Sequence, residues 1–177
     1  ERRGGAADQA REIVRDLGIR SLPVDPFEIA RQNDIIVQAK PDTAAGVSGL
    51  LMKAGNRFGI MYATHIPSEG YQRFSVAHEL GHYFLAGHMD AILDESGLHQ
   101  SRAGFTSADR YEIEADSFAA GLLMPQPLFL PALARAGRPF AVLAIARVDE
   151  ADQPVVVHVW PVDGLANRCP FRFRHGI

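Results

Sequence analysis

Arg73-Phe74-Ser75-Val76-Ala77-His78-Glu79-Leu80-Gly81-His82-Tyr83-Phe84-Leu85 sets two histidines four residues apart, with a glutamate directly after the first, among largely apolar neighbours. On a helix, residues four apart lie only ~40° apart in projection, so both imidazoles point the same way and can donate to one metal ion. Glu79 lies ~100° round from His78, near enough to reach a water beside that ion without occupying a ligand position. Ala77, Leu80 and Phe84 gather on the opposite side, which predicts a buried helix. Two histidines and a glutamate on such a helix need partners to offset desolvation, either as a structural hydrogen-bonded group or around a metal. The pattern H-E-x-x-H favours the metal, with Glu79 as the general base that takes a proton from water and returns it to a leaving amine. Zinc suits the ligand type, although Mn, Fe or Co also accept two imidazoles and a carboxylate.

A zinc site that keeps a position open takes three protein ligands, and two residues compete for the third place. His88 falls where the last histidine of H-E-x-x-H-x-x-G-x-x-H would stand, but Leu85 occupies the glycine position and no Met-turn follows. It reads as a loop or rim histidine. The rival lies on a later helix, about Ser107 to Met124, containing Tyr111-Glu112-Ile113-Glu114-Ala115-Asp116-Ser117-Phe118-Ala119. Glu112, Asp116, Ala119 and Leu123 share one face, whereas Glu114 projects ~200° away and reads as solvated. A face running from carboxylates into Ala and Leu packs inward. Glu112 is therefore the expected third ligand, and Asp116, one turn later, the group that holds an imidazole in its binding tautomer.

Outward from these helices, Ala10, Ile13, Val14 and Leu17 predict an amphipathic helix stopped at Gly18. Asp25-Pro26-Phe27-Glu28 starts a second, with Asp25 as cap and Glu28 closing a capping box, ending near Asn33. Ile35 to Ala39 suits a strand, and Gly49 to Lys53 with Phe58 to Tyr62 predicts a hairpin around Ala54-Gly55-Asn56. Pro67 to Gly70 separates it from the helix of His78, set at about Tyr71 to Ala86, and a Gly-, Ser- and Asp-rich loop then runs to Gly104. Pro125, Pro127 and Pro131 chop the segment after the second ligand-bearing helix, before strand-like runs Ala141 to Val148 and Val155 to Trp160. The class is α+β, with residues 1–130 as the main domain and 131–177 as a two-stranded extension packed on or adjoining it.

A formal net charge of -3 and a pI near 6.2 give no reason to expect direct nucleic-acid binding, since phosphate contact needs clustered Lys and Arg. Arg168, Arg172 and Arg174 read as a solvated tail. Cys169 is the single cysteine, so no intramolecular disulfide forms, and the cytosol is the natural compartment. No apolar run approaches the ~20 residues needed to span a bilayer, and no membrane role is expected. Nothing here sets the oligomeric state.

Arg73 to Leu85 together with Glu112-x-x-Ala115-Asp116-x-Phe118-Ala119-Ala120-x-Leu122-Leu123-Met124-Pro125 resembles the ImmA/IrrE metallopeptidase family. The resemblance covers roughly Ala10 to Leu130, and the paired motifs are more specific than either alone. It implies a zincin-like fold, Zn2+ held by His78, His82 and Glu112, and Glu79 as the catalytic residue. It also implies a protein substrate, a helix-turn-helix repressor or antitoxin, in bacterial stress response or mobile-element control. The departure is beyond Leu130, where family members usually continue with helices of helix-turn-helix appearance. A zincin fold that sequesters a regulator without cutting it is the rival reading, against which stands the intact Glu79; hydrolysis of some other amide is a third.

An extended substrate is expected to add to a sheet edge beside the metal helix, with Gly46 to Leu51 as that edge. His99, Tyr111 and His88 are all candidates to stabilise an oxyanion, with no choice among them. His65 and His158 receive no role, and Trp160, Phe171 and Phe173 are assigned to packing.

Overall fold

Residues 5–41, 46–65, 67–102, 109–135, 142–145 and 156–159 are described by a computed structural model. The first amphipathic segment forms α1 (Ala6–Asp16), and the chain leaves it through Gly18 at φ 66°, a left-handed conformation glycine adopts freely. Asp25 caps α2 (Pro26–Gln32) by accepting from the Phe27 N–H at 3.0 Å. Glu28 closes no capping box. Its carboxylate is drawn one turn ahead to Arg31 and Gln32, because a guanidinium is a stronger partner than a backbone N–H.

β1 (Ile35–Lys40), β2 (Val47–Ala54) and β3 (Arg57–Ala63) come next. β2 and β3 form the expected hairpin, with Ala54 opposite Arg57 and a two-residue loop of Gly55 and Asn56. α3 (Glu69–Phe84) begins earlier than Tyr71, because Ser68 caps it by accepting from the Tyr71 N–H. Beyond it come α4 (His88–Ile92), β4 (Leu98–Arg102), α5 (Arg110–Leu123) and α6 (Gln126–Arg135). β5 (Val142–Ile145) and β6 (Val156–Val159) pair with each other, antiparallel, inside the two C-terminal strand-like runs.

The stretch after α3 is not a loop as far as Gly104. Asp94 Oδ1 accepts from the Ser96 and Leu98 N–H groups, and the Gly97 carbonyl accepts from the Lys53 N–H at 2.8 Å. That turn folds β4 back onto β2. The sheet order is β1-β3-β2-β4, with β1 parallel to β3 and the other pairs antiparallel. Gly46 to Leu51 is therefore no free edge: β2 is internal, and the outer strand on that side is β4. The prolines also fail to chop the segment after α5. Pro127 sits in the first turn of α6, where the N–H has no helical partner, and Pro131 removes one hydrogen bond at an exposed position.

α5 packs between α1 and α3. A Cβ on Gly81 would stand 3.1 Å from Ala115 Cα, and one on Gly121 2.8 Å from Ala7 Cα, so small residues set both approaches. Val14, Leu80, Phe118 and Leu122 join Leu51 and Ile60 of the sheet in one buried cluster. Trp160, Cys169, Phe171, Phe173 and the arginines of the tail lie outside the described residues, as does the expected helix start at Ser107.

Candidate metal centre

The Gly81–Ala115 contact fixes what faces what. Glu112 and Asp116 flank Ala115 on α5, and His78 and His82 flank Gly81 on α3, so the close approach of the backbones brings the four side chains together. His78 Nε2 and His82 Nε2 are 3.1 Å apart. Glu112 Oε2 lies 3.2 Å from the former and its Oε1 3.4 Å from the latter. A tetrahedral ion with bonds of about 2.0–2.1 Å separates its ligand atoms by about 3.3–3.4 Å, so these three donors fit one ion of zinc's size. On the far side of its ring, His78 Nδ1 donates to Asp116 Oδ1 at 2.8 Å, so Nε2 is the nitrogen turned toward the other donors.

Glu79 is wholly buried, and among the described residues neither carboxylate oxygen has a hydrogen-bond partner. The Ser101 hydroxyl, 3.2 Å from His99 Nε2, stands near enough to pull the Glu79 pKa down somewhat against its burial. A Cβ on Gly49 would collide with Glu79 Oε1, so only glycine leaves the carboxylate room against β2. Orphaning a buried carboxylate costs several kcal/mol on the order of magnitude, which a bound ion and its water offset.

β4 contributes residues that sequence reading left in a loop. His99 and Ser101 alternate onto the face that Gly49 and Leu51 present, opposite α3. His99 Nε2 is 3.1 Å from Glu112 Oε1, and its ring centroid is 4.6 Å from that of His82. Of the three oxyanion candidates, His99 faces the donors, whereas Tyr111 packs edge-on against His88. Glu79, His82 and His99 form a second trio whose ligand atoms fall within 4.8 Å of one another. The two trios share His82, and the separations within the first, 3.1 to 3.4 Å, are those of ligands on one tetrahedral ion. His65 belongs to neither.

Burial works against charge on His78, but the Asp116 and Glu112 carboxylates and the nearby Glu79 outweigh it and hold its pKa up at about 10. His82 has the opposite balance: burial dominates and, with repulsion from His78 and His99, brings it down to about 4 despite Glu112. Burial pushes Glu79 up. Glu112 resists its own burial and is held well below the usual carboxylate range by its three imidazole neighbours.

Two readings of the sequence need correction here. His88 is fully buried, not on a rim. Gly87, at φ 82°, turns the chain back two residues later than the three-histidine pattern requires, so His88 arrives behind His82 with its Nδ1 3.1 Å from His82 Nδ1. Glu114 is not free in solvent: one oxygen takes His88 Nε2 at 3.0 Å and the other Arg110 Nε at 2.9 Å.

The model of the peptidase M78 family, described as the IrrE N-terminal-like domain, matches residues 30–147. The chain belongs to this family. The match holds both helices of the centre and β4, and runs past residue 130. M78 peptidases are metal-dependent, and His78, His82 and Glu112 are a group that could hold the ion. No curated protein matches the chain. Among the described residues, no helix is long and apolar enough to cross a membrane.

Proposed function

We propose that the chain is a cytoplasmic zinc-dependent endopeptidase that cleaves a regulatory protein, a helix-turn-helix repressor or antitoxin, with His78, His82 and Glu112 as ligands and Glu79 as general base. The observation that carries this reading is the orphaned Glu79 carboxylate, buried beside three convergent donor atoms. A divalent ion held there supplies Lewis acidity, polarising the scissile carbonyl and acidifying a water. Glu79 takes the proton of that water, and its burial-raised pKa matches it to delivering the same proton to the leaving amine. Asp116 keeps the His78 ring oriented, and Gly49 leaves Glu79 its place. An extended peptide fits against β4, the outer strand beside the site, whose His99 would then stand over the reacting carbonyl. The regulator as substrate, and its stress-response or mobile-element setting, rest on the family resemblance.

Incubation of the zinc-loaded protein with helix-turn-helix regulators from its own genome, with and without Glu79→Gln, tests the proposal. Discrete fragments from the wild type and at least a hundredfold less from the variant are expected. Equal product from both would remove Glu79 from the chemistry, and complex formation without cleavage would favour a sequestering module.

A further inference from the structure

His78 rests its outer nitrogen on a carboxylate, Asp116, but His82 does not. For His82 Nε2 to offer its lone pair to an ion, the ring proton must be on Nδ1, and Nδ1 faces His88 Nδ1 at 3.1 Å. Two imidazole nitrogens at that distance share one hydrogen. His88 Nδ1 is then the acceptor, its own proton sits on Nε2, and Nε2 donates to Glu114 Oε2 at 3.0 Å. Glu114 Oε1 accepts from Arg110 Nε at 2.9 Å. Every donor in this row has an acceptor: donation runs outward from the buried ring of His82 through His88 to Glu114, which also accepts from an arginine in solvent.

We propose that His88 and Glu114 are positioning residues for the metal: a His82–His88–Glu114 row that sets the tautomer and angle of the His82 ring, as Asp116 does for His78. The proposal rests on His82 being a ligand. His88 is a fully buried imidazole whose one nitrogen meets His82 and whose other meets Glu114, so its ring is held at both ends of the link. The row also explains why Glu114 projects away from Glu112 and still serves the same centre. It reaches the centre through His88, which the turn at Gly87 places behind His82.

The test is the zinc affinity of the full chain, measured by competition with a chromophoric chelator, with the visible spectrum of the cobalt-loaded protein as a second readout. Groups of this kind contribute about 10–100-fold to metal affinity. His88→Leu is expected to lose affinity in that range, and Glu114→Ala, at a half-exposed position that leaves the core untouched, to lose about tenfold and shift the cobalt bands. Glu114→Gln, which keeps an acceptor oxygen without the charge, is expected within about threefold of wild type. Wild-type affinity in Glu114→Ala overturns the proposal whatever His88→Leu does, because packing alone then accounts for His88. Equal losses in Glu114→Gln and Glu114→Ala also overturn it, since the effect then follows charge. If the unaltered protein binds no metal, the peptidase reading itself fails, and this row loses its purpose with it.

Discussion

His78 holds a proton that a metal must displace. With its pKa held at about 10 by Asp116 and Glu112, its ring is charged at neutral pH, whereas His82, near 4, is neutral and Glu112 is ionised. The metal takes the deprotonated ring, so between about pH 6 and pH 8 each ion bound releases at least one proton, and affinity rises about tenfold per pH unit. Above the pKa of His78 the dependence flattens. Calorimetric titration with zinc in buffers of differing ionisation heat measures the proton count directly. An affinity independent of pH over that window would contradict the electrostatics of the site. At this scale the sequence was legible wherever one helix carried the relation: four-residue spacing set His78 beside His82, and the face shared by Glu112 and Asp116 set both inward. His88 was misread because its place depends on the left-handed turn at Gly87, and its partner Glu114 lies on another element. No spacing along one helix shows that pair.

The site stands or falls on how closely α3 and α5 approach. Gly81 and Ala115 leave no room between the backbones, and any larger residue at 81 must push Glu112 away from the imidazoles. Gly81→Val is expected to weaken zinc binding at least tenfold and to destabilise the fold by about 1–3 kcal/mol. Gly70→Ala on the same helix, where a Cβ meets open space, should change neither. Chelator competition and thermal unfolding check both, and wild-type affinity in Gly81→Val would contradict the packing argument. Helices with periodic faces and caps were readable as elements; β4 was not. Leu98-His99-Gln100-Ser101-Arg102 has no β-branched residue and becomes a strand by pairing with β2 after the Asp94–Gly97 turn. Missing it placed the sheet edge at Gly46 to Leu51, one strand too far in. α6 was missed for a different reason: Pro127 and Pro131 read as breakers, although the first turn tolerates proline and an exposed later turn loses only one bond.

For the molecule as a whole, the candidate metal centre lies where three layers meet: α5, held in place by α1 on its other side; α3; and the half of the sheet formed by β2 and β4. None of these layers carries a complete site. α3 supplies two nitrogens and the proposed base, α5 the carboxylate and the brace on His78, and the sheet the glycine gap and His99. An M78 domain read this way has one ion position, and the second trio of Glu79, His82 and His99 is the alternative that must stay empty of metal if Glu79 is to act as a base. Anomalous diffraction at the zinc edge from crystals of the zinc-loaded protein distinguishes them most directly. We expect a single peak about 2.0–2.2 Å from His78 Nε2, His82 Nε2 and a Glu112 oxygen, with Glu79 beyond bonding distance. A peak on Glu79 and His99, or an ion present while Glu112 faces solvent, would contradict the account.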